Sequence, residues 1–228
     1  MTQSASYKII FEDEALIAVD KPSGLLVIET PKKEKNTLTR HMNDLLDSKG
    51  IKTNAYPCHR IDRETSGLIL YAKGKSIQRL MMEEFKRRKV KKSYIAYIHG
   101  YPKNPSGTIK SYLYNKNKHR NELAITKYRV VRTSGHPADN RGSRRVARSF
   151  SVVEVEPVTG RTNQIRRHFS RLGHPLLGER VFAFARDYEL KFRRVALHAK
   201  SLEFTHPVTK KRICLSADLP QDMESFHE

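Results

Sequence analysis

A carboxylate between two arginines is the first feature of the sequence that suggests chemistry. Asp62 lies between Arg60 and Arg63 in the stretch HRIDRETSGLILYAK, directly before Thr65, Ser66 and an apolar run. A nearby guanidinium lowers the pKa of a carboxyl group, and an ionised carboxylate is able to act as a nucleophile or a base. Spacing alone leaves an ordinary alternative open, because Asp is common in turns, where its side chain would hydrogen-bond the backbone of Thr65 and Ser66.

A second group of candidate residues is cationic and lies in GRTNQIRRHFSRLGHPLLGE. Arg161 precedes a predicted helix that carries Arg166, Arg167, His168 and Arg171. Arginines three to five positions apart share one helix face and are suited to binding phosphates. The alternative is a solvated helix face, but few acidic residues are present nearby to balance it.

The third candidate is the basic run KRRKVKKSYIAY, which leads into a predicted strand with Lys92 and Tyr94. Basic residues interleaved with an aromatic ring are typical of nucleic-acid grooves in which a base stacks on the ring. Tyr94 is equally well explained as a core tyrosine of the strand.

The elements that must position these residues are short strands with a few helices. A strand is predicted over SGLILYAK, so Asp62 is expected at the mouth of that strand, after a turn at Pro57 and Cys58. DKPSGLLVIE is expected to start as a strand, bend and resume as a strand. Helices are predicted over NTLTRHMNDLLDSKG, SIQRLMMEEFKRR and NQIRRHFSRLG, the first capped by Asn36 or Thr37 and the second by Ser76. Other strands are predicted over YKIIFED, ALIAVDKP, KKSYIAYIHG, GTIKSYLY, LAITKYRVVRT, ARSFSVVEVEPVTG, RVALHAKSLEFTHP and KKRICLS.

Composition points to a polyanionic partner. The chain has 228 residues, with 44 Lys and Arg against 24 Asp and Glu, which gives a formal net charge of +20. This excess favours nucleic acid, although a generally basic surface is an alternative. No signal peptide or membrane span is apparent, and two distant cysteines indicate neither a disulfide framework nor a zinc site. The expectation is a cytoplasmic protein in a reducing compartment.

Taken together, these segments resemble the RluA-type RNA pseudouridine synthases. HRIDRETSGLILYAK is similar to the signature HRLDRxTSGLLLxAK, and GRTNQIRRHFSRLGHPLLGE to GRTHQIRxHxxxxGxPLxGD. VDKPSGLLV, KKSYIAYIHG and ALHAKSLEFTHPVTKK resemble three further motifs of the family, in the same order. The resemblance implies an α+β fold with a mixed, mainly antiparallel sheet, flanking helices and a central active-site cleft. It implies one catalytic domain over 1–228, in which SGHPADNRGSRR suggests a flexible loop at 134–146.

The resemblance also implies roles for individual residues. Asp62 would attack the target uridine at the sugar C1′ or at the base C6, so that the base can leave, turn and rejoin through C5. Tyr94 would pack against the base and take part in proton removal, and Arg166 would pair with Asp62 and keep it ionised. Leu197 would form part of the apolar wall, and Arg60 would fill the gap left by the flipped nucleotide. The remaining cations expected to contact RNA are Arg63, Lys92, Arg161, Arg167 and Arg171.

Three positions depart from the family pattern. Asn163 stands where the family usually has His, Arg167 where it has an apolar residue, and Ile61 where it has Leu. None removes a group that the chemistry needs. The sequence starts almost directly with the first catalytic strand, so the small N-terminal RNA-binding domain of many relatives is expected to be absent. RNA selection would then depend on loops such as NKNKHRN and SGHPADNRGSRR.

The predicted function is therefore isomerisation of specific uridines in structured RNA, either tRNA or large-subunit rRNA, without metal or organic cofactor. No membrane contact and no obligatory protein partner are expected, and a monomer is the default. One alternative is a catalytically silent RNA-binding module on the same fold. Another is a metal-dependent hydrolase using His59, Asp62, His168 and His198. A structural ribosome-associated protein is the weakest alternative, since it gives no reason for an arginine-flanked carboxylate.

Overall fold

The computed structural model describes residues 7–134, 149–183 and 190–226. These residues form two compact units. The first covers 7–92 and 199–219, and the second covers 93–134, 149–183, 190–198 and 220–226. Of the loop predicted at 134–146, Ser134 is the last residue of a strand and 135–146 lie outside the described residues. The single catalytic domain over 1–228 stays a prediction.

The first unit is a sheet with two helices. Its strands follow the order β1-β2-β4-β9, with β3 paired to β4 and β10 paired to β9. The pairs β1–β2, β2–β4, β3–β4 and β9–β10 are antiparallel. Its elements are β1 Lys8–Glu12, β2 Leu16–Lys21, α1 Leu38–Ser48, β3 Ala55–Pro57, β4 Ser66–Lys73, α2 Lys75–Lys86, β9 Leu197–Thr205 and β10 Arg212–Ser216. The first two residues of β9, Leu197 and His198, belong to the second unit.

Strand β4 is the centre of the first unit's core. All of its residues except Lys73 are buried, which explains why its sequence is continuously apolar rather than alternating. Leu68 and Leu70 pack in one cluster with Met81 of α2 and Phe204 of β9. Gly67 is required within this strand. Its φ is +108°, and a Cβ atom there would lie 2.3 Å from the carbonyl oxygen of Ala199.

The helix ends of the first unit follow the sequence in part. The hydroxyl of Thr37 caps α1 by accepting the Arg40 N–H at 3.3 Å, as one of the two predicted caps requires. For α2 the prediction was wrong: the N-cap is Gly74 and no side chain caps the helix. The strand in DKPSGLLVIE also does not resume, because Leu26 forms only an isolated bridge with Thr37. Pro57, expected in a turn, ends the short strand β3.

The second unit is an antiparallel sheet with α3 packed against β6, β7 and β8. Its strand order is β5-β8-β7-β6, and β6 and β7 form a long hairpin. Buried Phe169 of α3 meets the ring of Tyr128 edge-on at 5.5 Å, which fixes the helix on the sheet. The elements are β5 Lys91–His99, β6 Ser106–Asn115, β7 Arg120–Ser134, β8 Phe150–Pro157, α3 Gln164–Arg171 and α4 Gln221–Glu224. The first two residues of β5, Lys91 and Lys92, belong to the first unit.

The predicted fold class is confirmed, since each unit has a mainly antiparallel sheet with a few flanking helices. In the described ranges, every helix is too short or too polar to cross a membrane.

Candidate active site

A short turn at 62–65 carries Asp62 to the start of β4 in the first unit. The backbone carbonyl of Asp62 accepts the Thr65 N–H at 3.2 Å, and Thr65 and Ser66 behind it are buried. The Asp62 side chain itself is half-buried. The carboxylate is therefore attached to a fully buried strand while remaining within reach of solvent, as the sequence predicted for the strand mouth.

A buried lysine holds this turn from below. Lys21, the last residue of β2, is 0% exposed, and its Nζ donates to the carbonyl oxygens of Pro22, Leu25 and Arg63 at 2.8, 2.8 and 3.1 Å. A buried ammonium is stabilised only where such acceptors converge on it. Because one acceptor belongs to the residue next to Asp62, Lys21 ties the turn at 62–65 to strand β2.

Two further bonds join the same segments. The hydroxyl of Ser23 donates to the Glu64 carbonyl at 2.7 Å, and the Gly24 N–H donates to the Arg63 carbonyl at 2.8 Å. The motif VDKPSG thus acts as a backbone clamp on the turn that bears Asp62. The acceptors of these hydrogen bonds are backbone carbonyls of the turn.

His59 is a structural residue of the same unit. Its Nε2 accepts the Leu70 N–H at 3.1 Å, and its ring lies 5.0 Å from the ring of Phe85. Burial, with the nearby charge of Lys92, lowers the pKa of His59 to about 3. Burial also lowers the pKa of Lys92, whose Nζ lies 6.0 Å from the Phe85 ring centroid. A neutral His59 with its Nε2 already bonded is poorly suited to the ligand role of the hydrolase alternative.

The two arginines that flank Asp62 differ. Arg63 forms an ion pair with Glu34, and Arg63 lowers the pKa of that carboxyl group. Arg60 is exposed and has neither an ion pair nor a hydrogen bond within the described residues. Of the two, Arg60 is therefore the side chain available to a substrate.

Arg166 lies in α3 of the second unit, bound to a buried carboxylate. Its Nε and Nη2 donate to Oε2 and Oε1 of Glu179 at 2.7 and 2.8 Å, a bidentate pair with both side chains almost fully buried. Its guanidinium also lies 5.3 Å from the centroid of the Phe182 ring. Glu179 was not among the predicted site residues.

Glu179 also organises the chain that follows it. Its Oε1 accepts the N–H groups of Arg180, Val181 and Phe182 at 3.0, 2.9 and 3.2 Å. Burial raises the pKa of Glu179, but the hydrogen bonds from Arg166 and from this backbone outweigh it, so the pKa lies below its ordinary value. The carboxylate is ionised and compensates the charge of Arg166.

A polar network holds the start of α3. Asn163 at the N-cap has φ 53°, a left-handed conformation that Asn adopts more readily than most residues. Gln164 then donates to the hydroxyl of Thr126 at 2.9 Å and accepts from the hydroxyl of Thr159 at 2.6 Å. Buried His168 bonds the same Thr126 hydroxyl at 2.9 Å. The motif TGRTNQ is therefore explained by positioning of the helix.

The other predicted RNA-binding arginines of the second unit differ in how accessible they are to a phosphate. Arg161 pairs with buried Glu122 at 3.0 Å and donates to the Leu123 carbonyl at 3.2 Å. Arg167 is half-buried, whereas Arg171 is exposed, with Nη1 3.3 Å from the Ser111 hydroxyl. Phosphate contact is thus geometrically easiest for Arg171.

The predicted residues are divided between the two units. The first unit contains Arg60, Asp62, Arg63 and Lys92, and the second contains Tyr94, Arg161, Arg166, Arg167, Arg171 and Leu197. Tyr94 is 9% exposed on β5 opposite Val155, and Leu197 is 4% exposed at the start of β9. The predicted pairing of Asp62 with Arg166 joins residues of different units and stays a prediction.

Among the described residues, four buried charged residues were missed: Lys21, Glu122, Glu179 and Arg194. Lys21 and Glu179 lie inside VDKPSG and PLLGE, motifs that were noted for their resemblance only. A charged residue enclosed by apolar residues and Gly or Pro was the available signal. Among the described residues, His, Cys, Asp and Glu form no cluster of three or more that suits a metal ion.

The sequence of this chain matches a known protein family and curated relatives. Residues 15–171 match the family model described as RNA pseudouridylate synthase. The chain is 32% identical over 240 residues to ribosomal large subunit pseudouridine synthase D of Zymomonas mobilis, covering 97% of this chain and 72% of the relative. It is also 32% identical over 229 residues to tRNA pseudouridine synthase C of Haemophilus ducreyi, covering 95% and 92%.

A solved structure shows the same fold. The human RNA pseudouridylate synthase domain containing 4 protein aligns with a TM-score of 0.75 at 23% identity, covering 95% of this chain and 90% of that chain. The fold and the motifs define a pseudouridine synthase of the RluA type. This chain belongs to the RNA pseudouridylate synthase family, whose members are isomerases acting on RNA.

Proposed function

We propose that Asp62 is the catalytic residue of this synthase and that its substrate is a uridine in tRNA or in large-subunit rRNA. The observation that carries the catalytic part is the clamped turn. Lys21, Ser23 and Gly24 fix the backbone at 62–65 while the half-buried carboxylate remains within reach of a substrate. Holding a reacting group in one geometry lowers the entropic part of the barrier.

In this proposal Asp62 attacks the uridine at C1′ or C6, and the base is released, turned and rejoined to the sugar through C5. The proton on C5 must then leave, and Tyr94 is the proposed residue beside the base. Arg166 is the proposed cation that keeps Asp62 ionised. Leu197 is proposed to exclude water, which would otherwise hydrolyse a detached intermediate.

The target base has to leave its stack before Asp62 can reach it. We assign this step to Arg60, which is exposed and makes no ion pair or hydrogen bond within the described residues. A side chain inserted at the vacated position offsets part of the cost of unstacking. Arg63, Lys92, Arg161, Arg167 and Arg171 are the proposed supporting cations, with Arg171 the most accessible of the α3 set.

The substrate class is proposed from the relatives. One relative is named for large-subunit rRNA and another for tRNA, each about equally similar to this chain. The excess of 44 Lys and Arg over 24 Asp and Glu fits either RNA, because phosphate contacts supply most of the affinity. We also propose that the enzyme acts as a monomer in the cytoplasm.

The test is tritium release from [5-³H]uridine-labelled bulk tRNA and, separately, bulk rRNA, with chelator present. Wild type is expected to release tritium from one or both RNAs. Asp62→Asn is expected to release none while its RNA affinity stays within about threefold, because phosphate contacts dominate binding. Glu64→Gln is the matched control, since it removes the neighbouring carboxylate of the same turn and should retain activity.

Three outcomes would contradict the proposal. Equal activity in Asp62→Asn would show that this carboxylate does not react. Inhibition by the chelator would favour the metal-dependent hydrolase. If neither RNA responds to wild type while binding is intact, the silent RNA-binding module becomes the better account.

A further inference from the structure

The outer face of the β6–β7 hairpin exposes two tyrosines. Tyr112 and Tyr114 on β6 are 66% and 50% exposed. Residues two apart on a strand point to the same side, so these rings stand about 6.6 Å apart along the strand. Leu123 on β7 lies opposite Tyr112 and is 41% exposed. We call the surface formed by Lys110, Tyr112, Tyr114, Leu123 and Lys127 the tyrosine face.

The fold does not explain these rings. In the part of the chain that the structure describes, neither Tyr112 nor Tyr114 makes a ring contact, and neither hydroxyl makes a hydrogen bond. Tyr97 in the same unit behaves differently, since its hydroxyl donates to the Met223 carbonyl at 2.7 Å and its ring stacks on Phe150 at 5.5 Å. Large aromatic side chains left in water commonly mark a binding surface.

The charges of the tyrosine face favour a polyanion. Lys110 lies two residues before Tyr112, and Lys127 lies opposite Thr108 on the neighbouring strand. Within the described residues neither lysine pairs with a carboxylate, whereas Arg129 further along β7 pairs with Glu154 at 2.7 Å. Lys110 thus lies next to Tyr112, while Lys127 lies further along the same face, opposite Thr108 on β6 and Glu156 on β8. Ammonium groups on the same face as two flat rings suit phosphates and bases, and are ill suited to an apolar protein partner.

The tyrosine face is separate from the face that carries α3. Buried Leu113, between the two tyrosines, points to the opposite side of the hairpin. Arg171 of α3 reaches the hydroxyl of Ser111, which shares that opposite side. RNA bound on the tyrosine face would therefore leave Arg166 and the rest of α3 unobstructed.

We propose that the tyrosine face binds an unpaired stretch of RNA, with bases stacked on Tyr112 and Tyr114 and phosphates beside Lys110 and Lys127. Aromatic side chains on a strand pair are a general means of holding unpaired bases, because every base has a flat face. The inference deepens the proposed function by adding a second contact for the substrate RNA. It rests on that function only in taking RNA as the ligand.

The test is binding of a fluorescein-labelled decaadenylate, measured by anisotropy at fixed salt. This probe has no uridine, so its binding does not depend on catalysis. The Tyr112→Thr, Tyr114→Thr double variant keeps β-favouring residues while removing both rings, and is expected to bind at least about tenfold more weakly. The Tyr112→Phe, Tyr114→Phe variant keeps the rings and should stay within about twofold of wild type.

The salt dependence of RNA affinity distinguishes the contribution of base stacking from that of phosphate contacts. Loss of the rings should leave the slope of log affinity against log salt unchanged, whereas Lys110→Ala and Lys127→Ala should each lower it by about 0.7. Val208→Thr, at a side chain 57% exposed in the first unit, is the control for loss of a surface apolar group. If the double variant melts at the assay temperature, the single threonine variants carry the test, each with about threefold or greater loss.

Three results would overturn the inference. The first is equal affinity of wild type and the threonine variant. The second is an equal loss in the phenylalanine variant, which would assign binding to the hydroxyls. The third is self-association of wild type that the threonine variant abolishes with RNA binding unchanged, which would make the face a protein interface. Failure of tritium release with ring-dependent decaadenylate binding would remove the catalytic proposal and leave this one standing.

Discussion

A buried cation of the first unit, Lys21, and one of the second unit, Arg166, are stabilised differently. Lys21 in the first unit is 0% exposed and donates to three backbone carbonyl oxygens. Arg166 in the second unit is 6% exposed and is bound by both oxygens of the Glu179 carboxylate. Lys21 bonds the turn at 62–65 directly, whereas Arg166 binds the Glu179 carboxylate that in turn accepts the N–H groups of 180–182.

The two cations differ in which of their interaction partners can be removed by mutation. The carbonyl oxygens around Lys21 are backbone atoms and cannot be mutated, so the hydrogen bonds of Lys21 can be removed only by replacing the lysine itself. The second unit's pair can be broken from either side, since removal of one charge deprives the other, still buried, of its bidentate ion pair. The predictions below test this contrast.

The largest effect on stability is expected at Glu179. Glu179→Ala leaves the Arg166 guanidinium buried without its carboxylate and removes the acceptor of three N–H groups. The free energy of unfolding should fall by about 3–5 kcal/mol, measured by urea unfolding followed by circular dichroism. A loss below about 1 kcal/mol would mean that water replaces the carboxylate. Arg166→Met with Glu179→Leu should recover part of the loss, because it removes both charges.

Removal of Lys21 should have the second-largest effect. Lys21→Met keeps most of the side-chain volume but removes three hydrogen bonds to buried carbonyls, so we expect a loss of about 2–3 kcal/mol. Turnover should fall further than stability predicts, since the turn bearing Asp62 loses its anchor. Lys8→Met, at an exposed lysine of β1, is the matched control and should stay within about 0.5 kcal/mol of wild type. Equal losses in the two variants would contradict a specific role for Lys21.

Both units should lose stability in acid because each contains a histidine that stays neutral in the native state. Burial, with Lys92, lowers the pKa of His59 to about 3, and burial, with Arg171 and Arg167, lowers that of His168 to about 4, from an ordinary 6.5. The unfolded chain binds protons below 6.5 while the native state does not, so stability present above that pH is lost as the pH falls toward the native values.

The measurement is the free energy of unfolding at pH 7 and at pH 5. His59→Gln and His168→Gln should each reduce the difference by about 1–2 kcal/mol. His119→Gln, exposed at the hairpin tip, is the surface control. An equal reduction in that control would rule out burial as the cause.

The smallest effects are expected on RNA binding, where Arg60 and Arg171 represent the two units. Arg171→Ala should weaken binding a few-fold and lower the salt slope by about one, as expected for a phosphate contact. Arg60→Ala should instead lower turnover with little change in slope, since its proposed role is to fill the place of the flipped base. Steady-state tritium release measures turnover, and the salt dependence of binding measures phosphate contact. A lower salt slope in Arg60→Ala, together with lower turnover at an unchanged slope in Arg171→Ala, would contradict both assignments.

Several strands and helices could be predicted because each depends mainly on residues close together in the sequence. The apolar run SGLILYAK predicted β4, and the cap at Thr37 with Leu38, Met42 and Leu46 predicted α1. The short strand β3 was missed because three residues carry no periodicity. Ser76 was wrongly taken as a cap, since Gly74 with φ +99° begins that helix without a side-chain bond.

The sequence by itself determined the family and the candidate residues, since motifs such as HRIDRETSGLILYAK combine many residue types in a fixed order. Only the tertiary structure decided how those residues are held: that Lys21 clamps the turn of Asp62, that Glu179 binds Arg166, and that Arg63 pairs with Glu34 while Arg60 does not. The physical reason is that burial and hydrogen-bond geometry depend on residues far apart in the chain. A sequence shows which side chain is charged, but the fold decides whether water, a carbonyl or a carboxylate surrounds it.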